Sequence, residues 1–323
     1  MTTSPSSPSS TSTLTALKQR FSEYLSKVKH PYVSKIASDL NISELEVRGL
    51  INLLNSESHS LIIDDRDRVR AVTPQSSSDI YQIPSFLDHV RLLLISDTHL
   101  ASKFDRLDIL RYLYDKADHT HTNYILHAGD MTEGVSGRPE QLYELRELSY
   151  SGQRDYVISN YPTSPSSCPT YFISGNHDNW WLKKCGSDIC KDISTRRPDL
   201  HYLGSDCENL AIGSLRIRLY HGKGGCSYAR SYKLQKYLDS IPAEQRPHLL
   251  VTGHIHTSFY MKQDKTHCFQ TSCLQDLTPY ARSLGLASDK SCWWVDVYFD
   301  EHGRPQLVKQ ELETFENKKQ LKR

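Results

Sequence analysis

Five short apolar runs recur between residues 91 and 252, and each is followed at once by a polar motif. The runs cover residues 91–96, 123–128, 171–174, 215–220 and 248–252. Runs of this length, rich in Leu, Ile, Val, Phe and Tyr, predict buried strands. In layered α/β folds, functional groups collect outside the carboxyl ends of such strands. The pattern therefore predicts an α/β domain with a site where these strands end.

The N-terminal part has helical rather than strand spacing. Apolar residues from Leu14 to Val28 lie on one helical face, and residues 33–40 predict a second, shorter helix. Ser43 and Glu46 have the spacing of a capping box, which starts a third helix through about Asn55. Two short runs, 61–63 and 69–72, then alternate as a hairpin does. This order predicts a small winged-helix (helix-turn-helix) domain over residues 14–73.

Composition limits the remaining choices. Lys and Arg number 39 against 38 Asp and Glu, so the chain has no global attraction to nucleic acid or to a membrane. The eight Cys include no Cys-x-x-Cys pair, which argues against a zinc ribbon and for reduced thiols. No apolar run reaches membrane-spanning length, so we expect a cytoplasmic protein with no membrane partner. The Ser-, Thr- and Pro-rich residues 1–13 predict a disordered tail, and residues 74–89 predict a linker.

The polar motifs carry the chemistry. They are Asp97-Thr98-His99, Gly129-Asp130, Gly175-Asn176-His177-Asp178, His221-Gly222 and Gly253-His254-Ile255-His256. Alternate residues of a strand point to the same side, so we expect Asp97 to project with His99, and His254 with His256. Mixed carboxylate, amide and imidazole ligands suit divalent Mn first, with Fe, Zn, Co and Ni as alternatives. The motifs supply enough such ligands for two metal ions.

Together these motifs resemble the calcineurin-like metallophosphoesterase superfamily, over roughly residues 90 to 316. The resemblance implies a four-layer α/β/β/α sandwich, which we assign to residues 90–323. It also implies two metal ions that share Asp130 as a bridge, and a non-ligand histidine, His177, that contacts the phosphate and assists the leaving group. The implied ligands are Asp97, His99, Asp130 and His256 for one metal, and Asp130, Asn176, His221 and His254 for the other.

A narrower similarity covers residues 221–236 and 273–280. These stretches resemble phage and prokaryotic members that carry an N-terminal winged helix and are DNA-repair exonuclease-like.

Near the motifs, Asp178 is a candidate partner for a metal ligand or for His177. Lys223 and Arg230 are candidate phosphate contacts.

The function we predict is a dinuclear metal-dependent phosphodiesterase that acts on nucleic acid or nucleotides through attack by metal-activated hydroxide. The alternative is a phosphomonoesterase for small molecules, whose winged helix serves protein contact or dimerisation. A non-catalytic scaffold ranks lower, because all seven implied ligands are present.

The N-terminal domain leaves two partners open. Arg66, Arg68 and Arg70 alternate on one hairpin face and could contact DNA or RNA. Against this, Glu44 and Glu46 open the helix that would enter a major groove, and carboxylates there repel phosphate. The other choice is a protein contact, including a homo-oligomer formed through this domain.

Overall fold

The structure is a computed structural model that describes residues 10–28, 31–56, 61–63, 67–71, 80–85, 87–164, 166 and 168–315. It divides into two units, Met1–Ser78 and Asp79–Arg323. No helix in the described part of the chain is both long enough and apolar enough to cross a membrane.

The first unit has three helices followed by two short strands. They are α1 (Ser10–Lys27), α2 (Val33–Leu40), α3 (Glu44–Ser56), β1 (Leu61–Ile63) and β2 (Val69–Ala71), with β1 and β2 antiparallel. Phe21, Ile36 and Val47 are fully buried in a core that joins the three helices. The predicted capping box is present, because the Glu46 amide donates to Ser43 Oγ and the Ser43 amide donates to the Glu46 carboxylate, 3.2 and 2.7 Å. The winged-helix assignment itself stays a prediction.

Two predictions for this unit need comment. Helix α1 begins at Ser10, so residues 10–13 are helical and do not belong to the predicted disordered tail. Ser and Thr are well tolerated in a first turn, where hydroxyls can satisfy amides that have no helical partner. Of the predicted hairpin arginines, Arg66 and the side chain of Arg70 lie outside the described residues, while Arg68 pairs with Tyr32 as an isolated bridge.

The second unit contains two six-stranded sheets. Sheet A has the strand order β14-β13-β4-β5-β6-β7, and sheet B has the order β11-β12-β10-β9-β8-β3. The strands are β3 (Tyr81–Ile83), β4 (His89–Ile95), β5 (Tyr124–His127), β6 (Thr170–Ser174), β7 (Leu200–Ser205), β8 (Cys207–Ile212), β9 (Leu215–Tyr220), β10 (Leu249–Thr252), β11 (Phe259–Gln263), β12 (Thr266–Gln270), β13 (Ser291–Phe299) and β14 (Pro305–Thr314). Strands β4 to β7 are parallel to one another, and so are β9, β10 and β12.

Alternation along the strands builds the layers. On β4, Leu93 and Ile95 belong to one apolar core, whereas Leu92 and Leu94 belong to another. The first core lies between sheet A and its helices, and the second lies between the two sheets. On β10, Leu250 packs in a third core with helix residues 234 and 238, so helix also covers the outer face of sheet B. The order of layers is helices, sheet A, sheet B and helix, which agrees with the predicted mixed α/β fold. The helices are α4 (Leu107–His119), α5 (Tyr150–Asn160), α6 (Asn176–Cys185), α7 (Ile189–Arg196), α8 (Tyr232–Asp239) and α9 (Pro279–Ser283), with short 3-10 helices at Pro139–Tyr143 and Ala243–Gln245.

The predicted linker over residues 74–89 is partly structured. Tyr81–Ile83 forms β3, which pairs with β8 at the edge of sheet B, and β4 already begins at His89. Ile83 is buried between the sheets, which holds this three-residue strand in place. A run so short carries little periodicity, and for that reason the sequence pattern did not reveal it.

Candidate metal centre

The predicted ligands meet where strands of both sheets end. Asp97 and His99 follow β4, Asp130 follows β5, and Asn176 begins α6 directly after β6 and Gly175. From sheet B, His221 follows β9, and the histidines 254 and 256 follow β10. Because these strands are neighbours within each sheet, their carboxyl ends deliver the side chains to one place.

The way in which these residues converge differs from our expectation. Strand β4 ends at Ile95 and β10 at Thr252, so the ligand residues are not alternate positions of a strand. Their backbone is left-handed instead, with positive φ at five ligand residues. The φ angles are 50° at Asp97, 43° at His99, 55° at Asp130, 74° at His254 and 57° at His256. Such conformations cost roughly 1–2 kcal/mol per residue, and they concentrate where function requires them.

The first group of donors combines Asp97, His99 and His256. Asp97 Oδ1 lies 3.2 Å from His256 Nε2 and 3.8 Å from His99 Nε2. The two imidazole Nε2 atoms are themselves 3.1 Å apart. Two ring nitrogens and a carboxylate oxygen directed at one small space fit a divalent cation of the borderline class.

The second group combines Asp130, His221 and His254. His221 Nε2 lies 3.1 Å from both Asp130 Oδ2 and Asn176 Oδ1. His221 Nδ1 donates to the Ala128 carbonyl at 2.8 Å, so Nε2 is the ring nitrogen that a metal ion would bind. His254 Nε2 donates to the Gly224 carbonyl at 2.9 Å, so its free lone pair is on Nδ1.

Asp130 lies between the two groups. Its Oδ2 atom is 3.1 Å from His221 Nε2 and 4.0 Å from His99 Nε2. One carboxylate within reach of histidines from both groups has the placement that a bridging ligand needs. The donor chemistry of the two groups therefore fits two metal ions that share Asp130.

Two glycines let the ligands approach the backbone. A Cβ atom on Gly175 would overlap the Asp130 carboxylate. A Cβ atom on Gly253 would lie 2.6 Å from Asp97 Oδ2, which is too close for a real contact, and 3.0 Å from the Ala128 carbonyl, which is tighter than most real contacts. Any side chain at these positions would displace a ligand.

The ligands carry strong mutual electrostatic effects. Burial opposes ionisation of Asp97, but the neighbouring His256 and His99 outweigh burial and hold its pKa well below its usual range. Burial likewise disfavours protonated His99, but Asp97 and Glu133 outweigh burial and raise its pKa to about 10. Burial also opposes protonation of His221, and Asp130 raises its pKa to about 9. Without metal, the carboxylates therefore hold protons on these histidines, and a cation that binds must displace them.

His177 lies beside the groups. Its Nδ1 donates to the Glu133 carbonyl at 2.7 Å, and its ring lies 3.9 Å from the Trp180 ring, centroid to centroid. Burial lowers its pKa to about 4. The imidazole is therefore neutral at pH 7, with Nε2 as an acceptor. With His99 and Asp130 it forms a third group of side chains whose ligand atoms lie close together.

A comparison with known families identifies the fold. Residues 90–275, more than half of the chain, match the calcineurin-like phosphoesterase superfamily domain. The chain belongs to the calcineurin-like phosphoesterase superfamily. This membership confirms the predicted family.

Relatives of this phosphoesterase include archaeal polymerase subunits. The DNA polymerase II small subunit of Thermoplasma acidophilum is 22% identical over 310 residues, which cover 83% of this chain and 61% of that protein. The protein of the same name from Halobacterium salinarum is 31% identical over 147 residues, 43% of this chain and 28% of that protein. The chain thus spans 61% of the length of the Thermoplasma acidophilum protein and 28% of the length of the Halobacterium salinarum protein.

Solved structures resemble the phosphoesterase domain at low identity. A novel archaeal phosphodiesterase covers 69% of this chain and 100% of its own, with 13% identity and a TM-score of 0.41. A 5'-nucleotidase precursor from Thermus thermophilus covers 70% of this chain and 54% of its own, with 15% identity and a TM-score of 0.36.

Sequence reasoning missed one buried carboxylate of the phosphoesterase site. Glu133 Oε2 lies 3.3 Å from His99 Nδ1 and accepts from Gln275 Nε2 at 2.7 Å. Gln141 Nε2 donates to the other oxygen at 3.1 Å. Glu133 comes three residues after Asp130, and an acidic residue so soon after the Gly-Asp turn was the available signal.

Asp178 contacts the backbone beside the ligands. Its carboxylate accepts hydrogen bonds from backbone amides of Met131, Thr132 and Gly175 at 3.1, 2.8 and 3.0 Å. It also accepts the Thr132 hydroxyl at 2.8 Å. These bonds hold the backbone around Asp130, and they are not made to the His177 ring or to a ligand side chain. Burial and the charge of Asp130 raise the pKa of Asp178 to about 6.

The predicted phosphate contacts lie farther out. Lys223 is exposed and its Nζ atom is 3.1 Å from Asp206 Oδ2, so its charge already has a partner. Arg230 lines a cavity of about 230 Å³ with Tyr228 and Lys233. A separate cavity of about 240 Å³ opens on the donor groups themselves, with Arg138 and Tyr280 in its wall.

Proposed function

We propose that this protein is a dinuclear metal-dependent phosphodiesterase that acts on nucleic acid or nucleotides. One observation carries the proposal: two donor groups lie beside an open cavity with Asp130 within reach of both, and His177 lines the same cavity. Asp97, His99, Asp130 and His256 would hold one ion. Asp130, Asn176, His221 and His254 would hold the other.

The ions would supply Lewis acidity, which lowers the pKa of water and neutralises phosphate charge. The borderline donor set supports Mn, with Fe, Zn, Co and Ni as alternatives. The protein's own contribution is to fix the ligand nitrogens, which the carbonyls of Ala128 and Gly224 do by occupying the other ring nitrogen.

His177 is the group we assign to the leaving oxygen. Its Nδ1 proton is held by the Glu133 carbonyl, so Nε2 is the atom that can exchange a proton with substrate. An anionic phosphate next to the ring favours its charged form and raises its pKa from the low value of the free protein. His177 would then donate a proton to the departing oxygen.

The diester preference rests on the relatives. Those proteins are named as DNA polymerase II small subunits, which supports a polynucleotide or nucleotide substrate. The N-terminal unit would either contact that nucleic acid through Arg66, Arg68 and Arg70 or contact protein, including a second copy of the chain.

The test uses full-length protein stripped with EDTA and reloaded with Mn. We expect two Mn per chain by elemental analysis, and hydrolysis of bis-p-nitrophenyl phosphate and of labelled DNA that disappears with EDTA. Fast turnover of p-nitrophenyl phosphate with inert diesters would favour the small phosphomonoesterase. Two bound Mn with no hydrolysis of any of these esters would contradict catalysis.

A further inference from the structure

A cationic and aromatic surface begins next to the metal groups. Residues 221–238 contain Lys223, Arg230, Lys233 and Lys236 and no Asp or Glu, although the whole chain has a net charge of only +1. In the described part of the chain, no carboxylate forms an ion pair with Arg230, Lys233 or Lys236. Lys223 alone is paired, with Asp206. Lys233 Nζ donates to the Lys223 carbonyl at 2.9 Å, but that partner carries no charge. The charges of all three cations thus remain available to an anionic partner.

Tyrosines alternate with these cations. Tyr228 is fully exposed and Tyr232 is 52% exposed. Such exposure is unusual, because tyrosine rings usually bury a large apolar area in folded proteins. Lys236 Nζ lies 5.8 Å from the centre of the Tyr232 ring. Alternating cations and exposed aromatic rings are what proteins use to hold single-stranded nucleic acid, with phosphates on the cations and bases stacked on the rings.

The surface is continuous with the metal groups. The Gly224 carbonyl accepts from the ligand His254, and Cys226 lines the cavity at the metal groups. Cys226, Ile255 and Leu286 also line the neighbouring cavity, whose other walls include Tyr228, Arg230 and Lys233. The two cavities therefore share a wall, and a chain that leaves the metal groups reaches Tyr228, Arg230 and Lys233 directly. Lys233 also lines a further cavity together with Tyr232 and Lys236.

We propose that residues 226–236 form a binding track for a single-stranded polynucleotide, which we call the strand track, with Tyr228 and Tyr232 stacking bases and Arg230, Lys233 and Lys236 contacting successive phosphates. This proposal rests on the proposed function and names its substrate class. A polymer is favoured over one nucleotide because Arg230, Lys233 and Lys236 line cavities other than the one at the donor groups. A single strand is favoured over a duplex because stacking on tyrosine needs bases that are already unstacked.

The test measures binding separately from cleavage. Fluorescence anisotropy of labelled dT12, U12 and a 12-base-pair DNA duplex is recorded with full-length protein in EDTA over a series of salt concentrations. We expect the single strands to bind more tightly than the duplex, and comparison of dT12 with U12 decides between DNA and RNA. Polyglutamate serves as a competitor. Displacement of dT12 by polyglutamate at equal charge concentration would identify a general acidic-polymer site and overturn the proposal.

Variants assign the binding to the track. Arg230→Ala/Lys233→Ala/Lys236→Ala should reduce the slope of log affinity against log salt by about 2, since each phosphate contact on a single strand contributes about 0.7. Tyr228→Ala/Tyr232→Ala should weaken binding by about fivefold or more for each ring lost, with little change in slope. Circular dichroism checks that both variants are folded.

Control variants remove three cations, the same number as the track variant, and one exposed tyrosine elsewhere. Arg111→Ala/Lys191→Ala/Lys265→Ala changes three exposed cations on α4, on α7 and at the amino end of β12. Tyr143→Ala removes a tyrosine that is 82% exposed. Both controls should bind like the wild type. Track variants that bind like the controls would overturn the track, even if Mn-dependent hydrolysis of bis-p-nitrophenyl phosphate supports the proposed function. Track-dependent binding without any diester hydrolysis would contradict the proposed function and leave the track standing.

Discussion

Replacing Glu133 with Gln should weaken metal binding at the group that contains His99. The carboxylate lies 3.3 Å from His99 Nδ1 and favours a proton there, which keeps Nε2 free to face Asp97 and His256. The substitution keeps the shape and removes the charge. Loss of such a partner of a metal-ligating histidine typically costs 10–100-fold in metal affinity, or about 1.4–2.7 kcal/mol.

The structure also predicts a stability cost. Each Glu133 oxygen accepts from an amide nitrogen, Gln275 Nε2 at 2.7 Å and Gln141 Nε2 at 3.1 Å. In either orientation, the amide introduced by Glu133→Gln places its NH2 group against one of these donors. A buried donor left without a partner costs about 1–3 kcal/mol. For a unit of this size, each kcal/mol lowers Tm by about 2–4 °C.

Calorimetric titration of EDTA-stripped protein with Mn, together with elemental analysis, measures the effect. Glu133→Gln should show one site weakened and one site close to wild type. Glu144→Gln is the matched control, because Glu144 is also buried and lines the same cavity, but its Oε1 accepts from the Tyr280 amide at 2.9 Å instead of facing a histidine. Two wild-type Mn affinities in folded Glu133→Gln would refute this account of His99.

Four other predictions follow from the same geometry. Asp130→Asn should lose at least one of two Mn and nearly all activity. A variant that retains two Mn and normal turnover would exclude Asp130 as the ligand shared by both ions. His177→Ala should retain both Mn by elemental analysis yet slow hydrolysis of esters with poor leaving groups by roughly a hundredfold, whereas lost Mn would make it a ligand. Deleting residues 14–73 should weaken DNA cleavage in a salt-dependent way and leave the hydrolysis of bis-p-nitrophenyl phosphate unchanged. Unchanged DNA cleavage would assign this unit to protein contact. Since the folded pKa values of His99 and His221 are raised to about 10 and 9, folded metal-free protein binds more protons than unfolded protein. Its Tm should therefore fall as pH rises from about 7 to 10, and a Tm that rises over that range would contradict the raised pKa values of these histidines. Mn binding near pH 7 should release protons, which calorimetry in two buffers would show.

The central strands could be predicted from sequence to within a few residues. Leu92 to Ile95 are buried on both faces of sheet A, so a continuous apolar run marks the strand. Strand β9 also spans the predicted residues 215–220, but it alternates apolar residues with Arg216 and Arg218 instead of forming a continuous apolar run. Strand β3 could not be predicted, because three residues carry no period and their pairing with β8 is decided by a segment about 130 residues away in the chain.

The sequence by itself determined which residues meet at the site and which family the fold belongs to. Polar residues that directly follow buried strands collect at the carboxyl edge of the sheets, and Gly175 and Gly253 leave space beside the backbone for the Asp130 and Asp97 carboxylates. Only the tertiary structure decided how they meet. The left-handed backbone at Asp97 and His254, the Glu133 carboxylate behind His99 and the low pKa of His177 all arise from contacts between segments far apart in the chain. The local sequence pattern cannot predict those contacts, because the burial of a residue and the charges around it depend on every segment that folds against it.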